Sequence, residues 1–381
     1  MIEFKMPALG SDMDEGTLNE WLVEPGDPVH RGQVVAVVET TKAAVEVECW
    51  HDGTVGELLV PVGQTVSVGA PLATLLEAGE SANVPAAPVP AAVGAPSVSA
   101  GPEHRRWVSP AARRLAQSRH VDLDSVTGSG PQGAVTISDV ERAATAPAPV
   151  TGRRVAASRA TEMRKSIAAA MGRSKREIPH YYLAHEVVMD TMLSFLDERN
   201  AQRSVTERVL PAALLVKAVA VAAQRFPEFN GFWRDGEFRA ADGVHVGVAI
   251  ALRGGGLVAP AIHAVPEKGL DEVMAALTDV VARARAGSMR SSEMSDPTIT
   301  ITNLGDQGVD TVFGVIYPPQ VALVGFGTPA PRVRAVDGGI RIATTVHATL
   351  AADHRASDGH RGALFLAAID ELLQQPRTLE G

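Results

Sequence analysis

The chain is predicted to be a multidomain protein: a small all-β sandwich or flattened barrel and a short helical module, followed by a large α+β domain. Three observations predict this. Residues 16–39 recur as residues 53–76, so the first module is a repeat folded on itself. Runs dominated by Ala and Pro occupy residues 79–104 and 144–152. Residues 153–381 mix helix and strand patterns without the regular alternation of a doubly wound sheet.

The first module spans residues 1–78. Gly16-Thr17 recurs as Gly53-Thr54, Leu22-Val23 as Leu59-Val60, and Gly26, Val29 and Gly32 as Gly63, Val66 and Gly69. Paired glycines mark turns, and the apolar runs between them read as short strands. Val34 to Val38 is one strand, and Ala43, Val45 and Val47 alternate with polar residues on the next. The junction Glu39-Thr40-Thr41-Lys42-Ala43 therefore reads as an exposed hairpin turn with Lys42 at its tip.

Residues 79–104 cannot build a core and read as an extended, semi-stiff tether reaching up to roughly 80 Å. Residues 105–143 form a compact island. Ser109-Pro110 opens one helix, Gly128-Ser129-Gly130-Pro131-Gln132-Gly133 is a loop, and Ser138-Asp139-Val140 begins a second helix. Residues 144–152 are a second tether.

In residues 153–381, helices are expected over 163–175, 191–202, 210–226, 270–286 and 362–374. Strands are expected over 244–252, 299–302, 321–325 and 340–350. The helix over 210–226 is apolar, and its run from Leu210 to Ala223 carries only Lys217 as a charge. Near the C-terminus stands Asp353-His354-Arg355-Ala356-Ser357-Asp358-Gly359. Histidine is the side chain best suited to take a proton near neutral pH, and an acidic neighbour can orient it.

The bulk properties exclude several classes. A net charge of -9 argues against a general nucleic-acid binder. The single cysteine, Cys49, excludes an intrachain disulfide framework and suits a cytoplasmic protein. No signal peptide, bilayer-length apolar run, phosphate-cradling lysine loop or zinc-ligand spacing is found.

The first module resembles the lipoyl domain of the 2-oxo acid dehydrogenase complexes, whose turn lysine carries lipoamide. A biotin carrier has methionines beside its lysine, where this chain has Thr41 and Ala43. The resemblance assigns covalent lipoate to Lys42. The island resembles the peripheral subunit-binding domain of those complexes, and Arg113 and Arg114 fall where the family's docking arginine lies. In the large domain, Pro179-His180-Tyr181-Tyr182-Leu183, Phe229-Asn230, Gly256-Leu257-Val258-Ala259-Pro260, Thr302-Asn303-Leu304-Gly305 and Asp353-His354-Arg355 stand in the family's order. They resemble the catalytic domain of the dihydrolipoamide acyltransferase component. That resemblance implies a chloramphenicol-acetyltransferase-like fold, active sites between subunits of a homotrimer, and trimers assembled into a larger multienzyme core. It implies acyl transfer, acetyl first, from lipoamide to coenzyme A.

His354 is then the expected base, Thr302 the hydroxyl that stabilises the oxyanion, and Asp358 a residue that organises the loop. The family commonly has serine where Thr302 stands. The expected partners are a 2-oxo acid or acetoin dehydrogenase component and dihydrolipoamide dehydrogenase, with no nucleic acid and no membrane. Branched-chain or succinyl groups are alternative substrates. A non-catalytic scaffold for dihydrolipoamide dehydrogenase is the alternative role.

Overall fold

The computed structural model describes residues 2–8, 15–40, 44–76, 112, 115–116, 129–130, 135–140, 151–252, 256–336 and 338–381, with the backbone alone for 151–160, 162 and 336. Residues 2–76 form eight short strands: β1 (Ile2–Lys5), β2 (Glu15–Trp21), β3 (Pro28–Val29), β4 (Gln33–Glu39), β5 (Ala44–Cys49), β6 (Gly53–Leu58), β7 (Thr65–Ser67) and β8 (Pro71–Leu76). They lie in two sheets, ordered β1-β8-β6-β3 and β5-β4-β2-β7, over a core that includes Leu18, Val38, Val47 and Leu72.

The sequence repeat survives as a repeat of hydrogen bonds. Gly26 N donates to Val55 O at 2.8 Å, and Gly63 N donates to Leu18 O at 2.7 Å. Leu22 N to Val35 O and Leu59 N to Leu72 O form a second such pair. Gly26 and Gly63 have φ of 100° and 89°, a region that favours glycine, which is why these two positions recur together.

The described residues of the helical island belong to a separate compact unit. Ala112, Ala116, Val135 and Val140 make its small buried cluster. Asp139 accepts from the backbone N–H and the hydroxyl of both Ser129 and Thr136, tying the loop to the start of the helix. Hydrogen bonds from the Ser129 backbone and hydroxyl hold its carboxyl well below the usual carboxylate range. Arg113 and Arg114 lie outside the described residues, as do Lys42 and both neighbours.

The large domain begins with α1 (Thr151–Glu177), whose first two residues fall inside the stretch expected to be the second tether. It continues with β9 (His180–Val188), α2 (Asp190–Asn200), α3 (Pro211–Arg225), β10 (Gly231–Arg234), β11 (Glu237–Ala240), β12 (Val246–Val248), β13 (Ile250–Ala251), β14 (Leu257–Val258) and β15 (Ala261–Ile262). The remaining elements are α4 (Leu270–Ala286), β16 (Ser288–Arg290), α5 (Ser291–Ser295), β17 (Ile299–Asn303), β18 (Ala322–Phe326), β19 (Ala330–Val336), β20 (Gly339–Asp353) and α6 (Gly359–Gln374).

One mixed sheet, ordered β15-β12-β17-β18-β20-β19 with β9 also on β20, forms its centre. The α+β expectation holds. The strand expected over 244–252 is two short strands broken at Ala249, whose N–H turns to Ile301 O. The hairpin β10–β11 was not expected, although Asp235-Gly236 signals one: both residues have positive φ, 55° and 82°, as a tight turn between twisted strands needs.

Helix α3 is apolar nearly all round because it is buried. Its one buried charge, Lys217, donates to the carbonyls of Val265, Pro266 and Lys268. The carbonyls replace the water that an ammonium would lose on burial.

Candidate active site

Strands β9 and β20 run antiparallel with His180 opposite Asp353, and the chain leaves the sheet at that end. His354 follows directly. Its backbone N–H donates to Pro179 O at 3.0 Å, which ties the turn to the neighbouring strand. The residue is exposed, and its imidazole meets the Tyr181 ring edge-on, with centroids 5.2 Å apart and planes at 67°.

Tyr181 also holds the far side of the loop. Its hydroxyl lies 2.8 Å from Ser357 Oγ and donates to Asp358 O at 2.8 Å. Burial pushes the phenol up, so it stays a neutral hydrogen-bonding group.

The two carboxylates that flank the histidine do different work. Asp353 is fully buried and takes Arg355 in a fork, through Nε at 2.9 and 3.1 Å and Nη2 at 2.6 Å. The Arg355 guanidinium lies over Trp233 of β10, 4.4 Å from the ring centroid. Asp358 caps α6, accepting from Arg361 N at 2.9 Å. That N–H, with those of His360 and nearby imidazoles, holds the carboxyl below the usual range. Among the described residues neither flanking carboxylate hydrogen-bonds to the His354 ring. They fix the loop, and the loop fixes the histidine.

Thr302 stands elsewhere. It is half-buried near the end of β17, opposite Gly325 of β18, which in turn faces Thr349 of β20. His354 lies five residues further along the chain, just past the end of β20, and two strands across. At about 3.3 Å per residue and about 4.8 Å per strand, the two are roughly 15–20 Å apart within one chain. The structure thus brings His354, Tyr181, Ser357 and Asp358 together and leaves Thr302 at the other end of the sheet.

The tyrosine, the Arg355–Trp233 contact and the Asp353 fork escape sequence reasoning, because strand pairing and the β10–β11 hairpin create them. His180 is structural. Its Nδ1 lies 2.9 Å from Ile178 O, and its Nε2 accepts from Ile316 N at 3.2 Å, so both nitrogens are used by the neutral ring. Burial pushes its pKa down.

A base with a lowered folded pKa makes the unfolded chain the better proton acceptor. Stability therefore falls as pH drops through the unfolded histidine value of about 6.5. Thermal melts should show a lower midpoint at acid than at neutral pH, and His180→Gln should remove part of that difference. An unchanged pH dependence would refute the assignment.

His347 and Arg361 have local partners. His347 Nδ1 lies 2.7 Å from Thr311 Oγ1, and Arg361 pairs with Glu228 over Phe226. No group of three or more His, Cys, Asp or Glu among the described residues can hold a metal ion. No helix there is long and apolar enough to cross a membrane.

Three family models match, in the order expected. Residues 2–75 match a biotin and lipoyl carrier model described as a biotin-requiring enzyme, residues 106–141 an e3 binding domain, and residues 153–380 the 2-oxoacid dehydrogenases acyltransferase catalytic domain. The chain belongs to the 2-oxo acid dehydrogenase acyltransferases, and it is an enzyme of acyl transfer.

Among its relatives is the dihydrolipoyllysine-residue acetyltransferase component of the pyruvate dehydrogenase complex of Rickettsia bellii, 31% identical over 99% of this chain and 98% of that protein. The same component of Zymomonas mobilis is 30% identical over 98% of each. A crystal structure of a probable dihydrolipoamide acetyltransferase from Listeria monocytogenes is 28% identical, with a TM-score of 0.52, over 56% of this chain and 91% of that one. The cubic core of a pyruvate dehydrogenase multienzyme complex shares the fold, with a TM-score of 0.54 at 24% identity over 57% of this chain and 90% of that one.

Proposed function

We propose that this chain transfers an acetyl group from lipoamide on Lys42 to coenzyme A, as the core component of a cytoplasmic pyruvate-type dehydrogenase complex. The observation that carries this reading is the His354 turn, in which an exposed imidazole is held by backbone and tyrosine contacts at a sheet end. His354 takes the proton of the coenzyme A thiol as the sulfur attacks the thioester carbonyl. The tetrahedral oxyanion collapses, the carbon–sulfur bond to lipoamide breaks, and the proton passes to the departing thiolate.

A free thiol has a pKa near 8.5 and is mostly protonated at neutral pH, so a base is needed. Thr302 donates to the oxyanion. Its distance from His354 in one chain means that the donor comes from a second copy, which supports a homotrimer with sites between subunits. Arg113 and Arg114 dock dihydrolipoamide dehydrogenase. The dehydrogenase component supplies the acyl group.

The experiment is an assay of acyl-dihydrolipoamide with coenzyme A, run over acyl groups of increasing size. Acetyl should be the best donor, and a preference for branched-chain or succinyl groups would replace that assignment. Lys42→Arg should remove the lipoyl mass increment from protein purified from its host and abolish turnover of the assembled complex. It should leave transfer from free acyl-dihydrolipoamide to coenzyme A unchanged. An increment that persists in the variant would move the attachment site elsewhere.

A further inference from the structure

Strand β16 stands apart from the central sheet of its own domain. Its ladder runs instead to the carrier module: Ser288, Met289 and Arg290 pair in parallel with Ala44, Val45 and Glu46 of β5. The sheet of the carrier module is thereby extended by a strand of the acyltransferase domain.

Side chains lock the pairing. Ser288 Oγ donates to Glu46 Oε1 at 2.7 Å, and Glu48 N donates to Ser291 Oγ at 3.2 Å. Glu48 is buried, and its carboxylate accepts from Ser292 N at 3.2 Å and Ser291 Oγ at 3.4 Å. Met289, Ser291 and Ser292 are buried with it.

The receiving surface is stiff. Glu293 is buried, forks onto Arg283 of α4 and accepts from Arg290 N at 3.0 Å. A second contact lies at Ala8, which lines a cavity with Phe232, Arg234, Pro297 and Tyr317.

We propose that β16 and the residues after it are a docking strand for this chain's own carrier module, which latches by strand addition and parks the Lys42 turn between visits to its partners. The proposal rests on the carrier reading of residues 2–75. Parallel pairing uses backbone groups that any edge strand offers, and the buried Glu48 supplies the selectivity.

A three-residue ladder is weak between free molecules. The tether changes that, because attachment raises the local concentration to the millimolar range. The roughly 75 residues between Leu76 and Thr151 have a contour of about 250 Å at most, so chain length does not force the two surfaces together. Their contact reflects complementarity, and its weakness allows release. Because Ala44 pairs with Ser288, β5 begins beside the start of β16 in the latched state.

The test is crosslinking in the full-length, host-lipoylated protein. Adjacent strands lie about 4.8 Å apart, within disulfide range. Ala44→Cys with Ser288→Cys should oxidise to an intrachain bridge, identified by peptide mass, and the one native cysteine is buried. The out-of-register pair Ala44→Cys with Arg290→Cys is the control.

Adding Glu48→Lys, or the milder Glu48→Gln, should slow bridging roughly tenfold by stranding buried donors. Equal bridging in the control, no effect of either Glu48 variant, or a bridge joining two different chains would each overturn the proposal. A short bis-maleimide across the same two cysteines should stop the dehydrogenase component from acylating the lipoyl group. It should leave transfer from free acyl-dihydrolipoamide to coenzyme A intact. Unimpeded acylation of the locked protein would also overturn it. Loss of the free-substrate activity in the unlocked protein would instead count against the acyltransferase mechanism, a separate result.

Discussion

His354→Ala is expected to lower acetyl transfer between dihydrolipoamide and coenzyme A by about 10²–10⁴-fold, the usual contribution of a positioned base. The turn should survive the change. It is held through the His354 backbone, the Asp353–Arg355 fork and the Tyr181 hydroxyl, none of which uses the imidazole. Lipoylation and the thermal midpoint should therefore stay near wild type while the rate falls. Tyr181→Phe separates position from chemistry. It removes the hydroxyl bonds to Ser357 and Asp358 but keeps the ring against His354, so it should cost far less than the histidine change. Retained turnover in His354→Ala would remove the catalytic assignment and favour the scaffold role.

Thr302→Ala is expected to lower the rate by about 10²–10³-fold, the typical cost of one oxyanion donor. Thr302→Ser should keep most of the activity, because the hydroxyl is what donates. The more telling experiment mixes the two inactive chains. If a site takes its histidine from one chain and its hydroxyl from the next, a chain with His354→Ala and a chain with Thr302→Ala complement each other. Random mixing of equal amounts restores roughly a quarter of the sites in a cyclic assembly. If both groups came from one chain, mixing would restore nothing. The register across β17, β18 and β20 leads us to expect recovery.

How much of this was legible beforehand varied with the distance over which each feature is decided. The repeat was visible because each half must bury the same alternating face and turn at the same glycines. The hydrogen-bond pairs at Gly26 and Gly63 are that constraint in atomic form. The helix over 270–286 was legible to the residue, since its apolar stripe, acidic first turn and the glycine after it all lie within one stretch of chain. His354 was legible from its residue type and acidic flanks. The work of those flanks was not. Asp353 finds Arg355 over a tryptophan from a hairpin 120 positions earlier, and no local pattern announces such a contact.

The three modules, their order and the residue types at positions 42, 302 and 354 were legible in composition and short-range patterning, while the family and the roles expected of those residues came from the resemblance that their motifs carry. Only the tertiary structure decided where that chemistry lies: Tyr181 beside the histidine, Thr302 at the far end of the same sheet, and a docking strand on the acyltransferase domain that pairs with the carrier. Strand order and register bring distant segments together through backbone hydrogen bonds. Nearly every residue offers the same backbone donor and acceptor, so the residues that will meet across a ladder are not written in either strand alone.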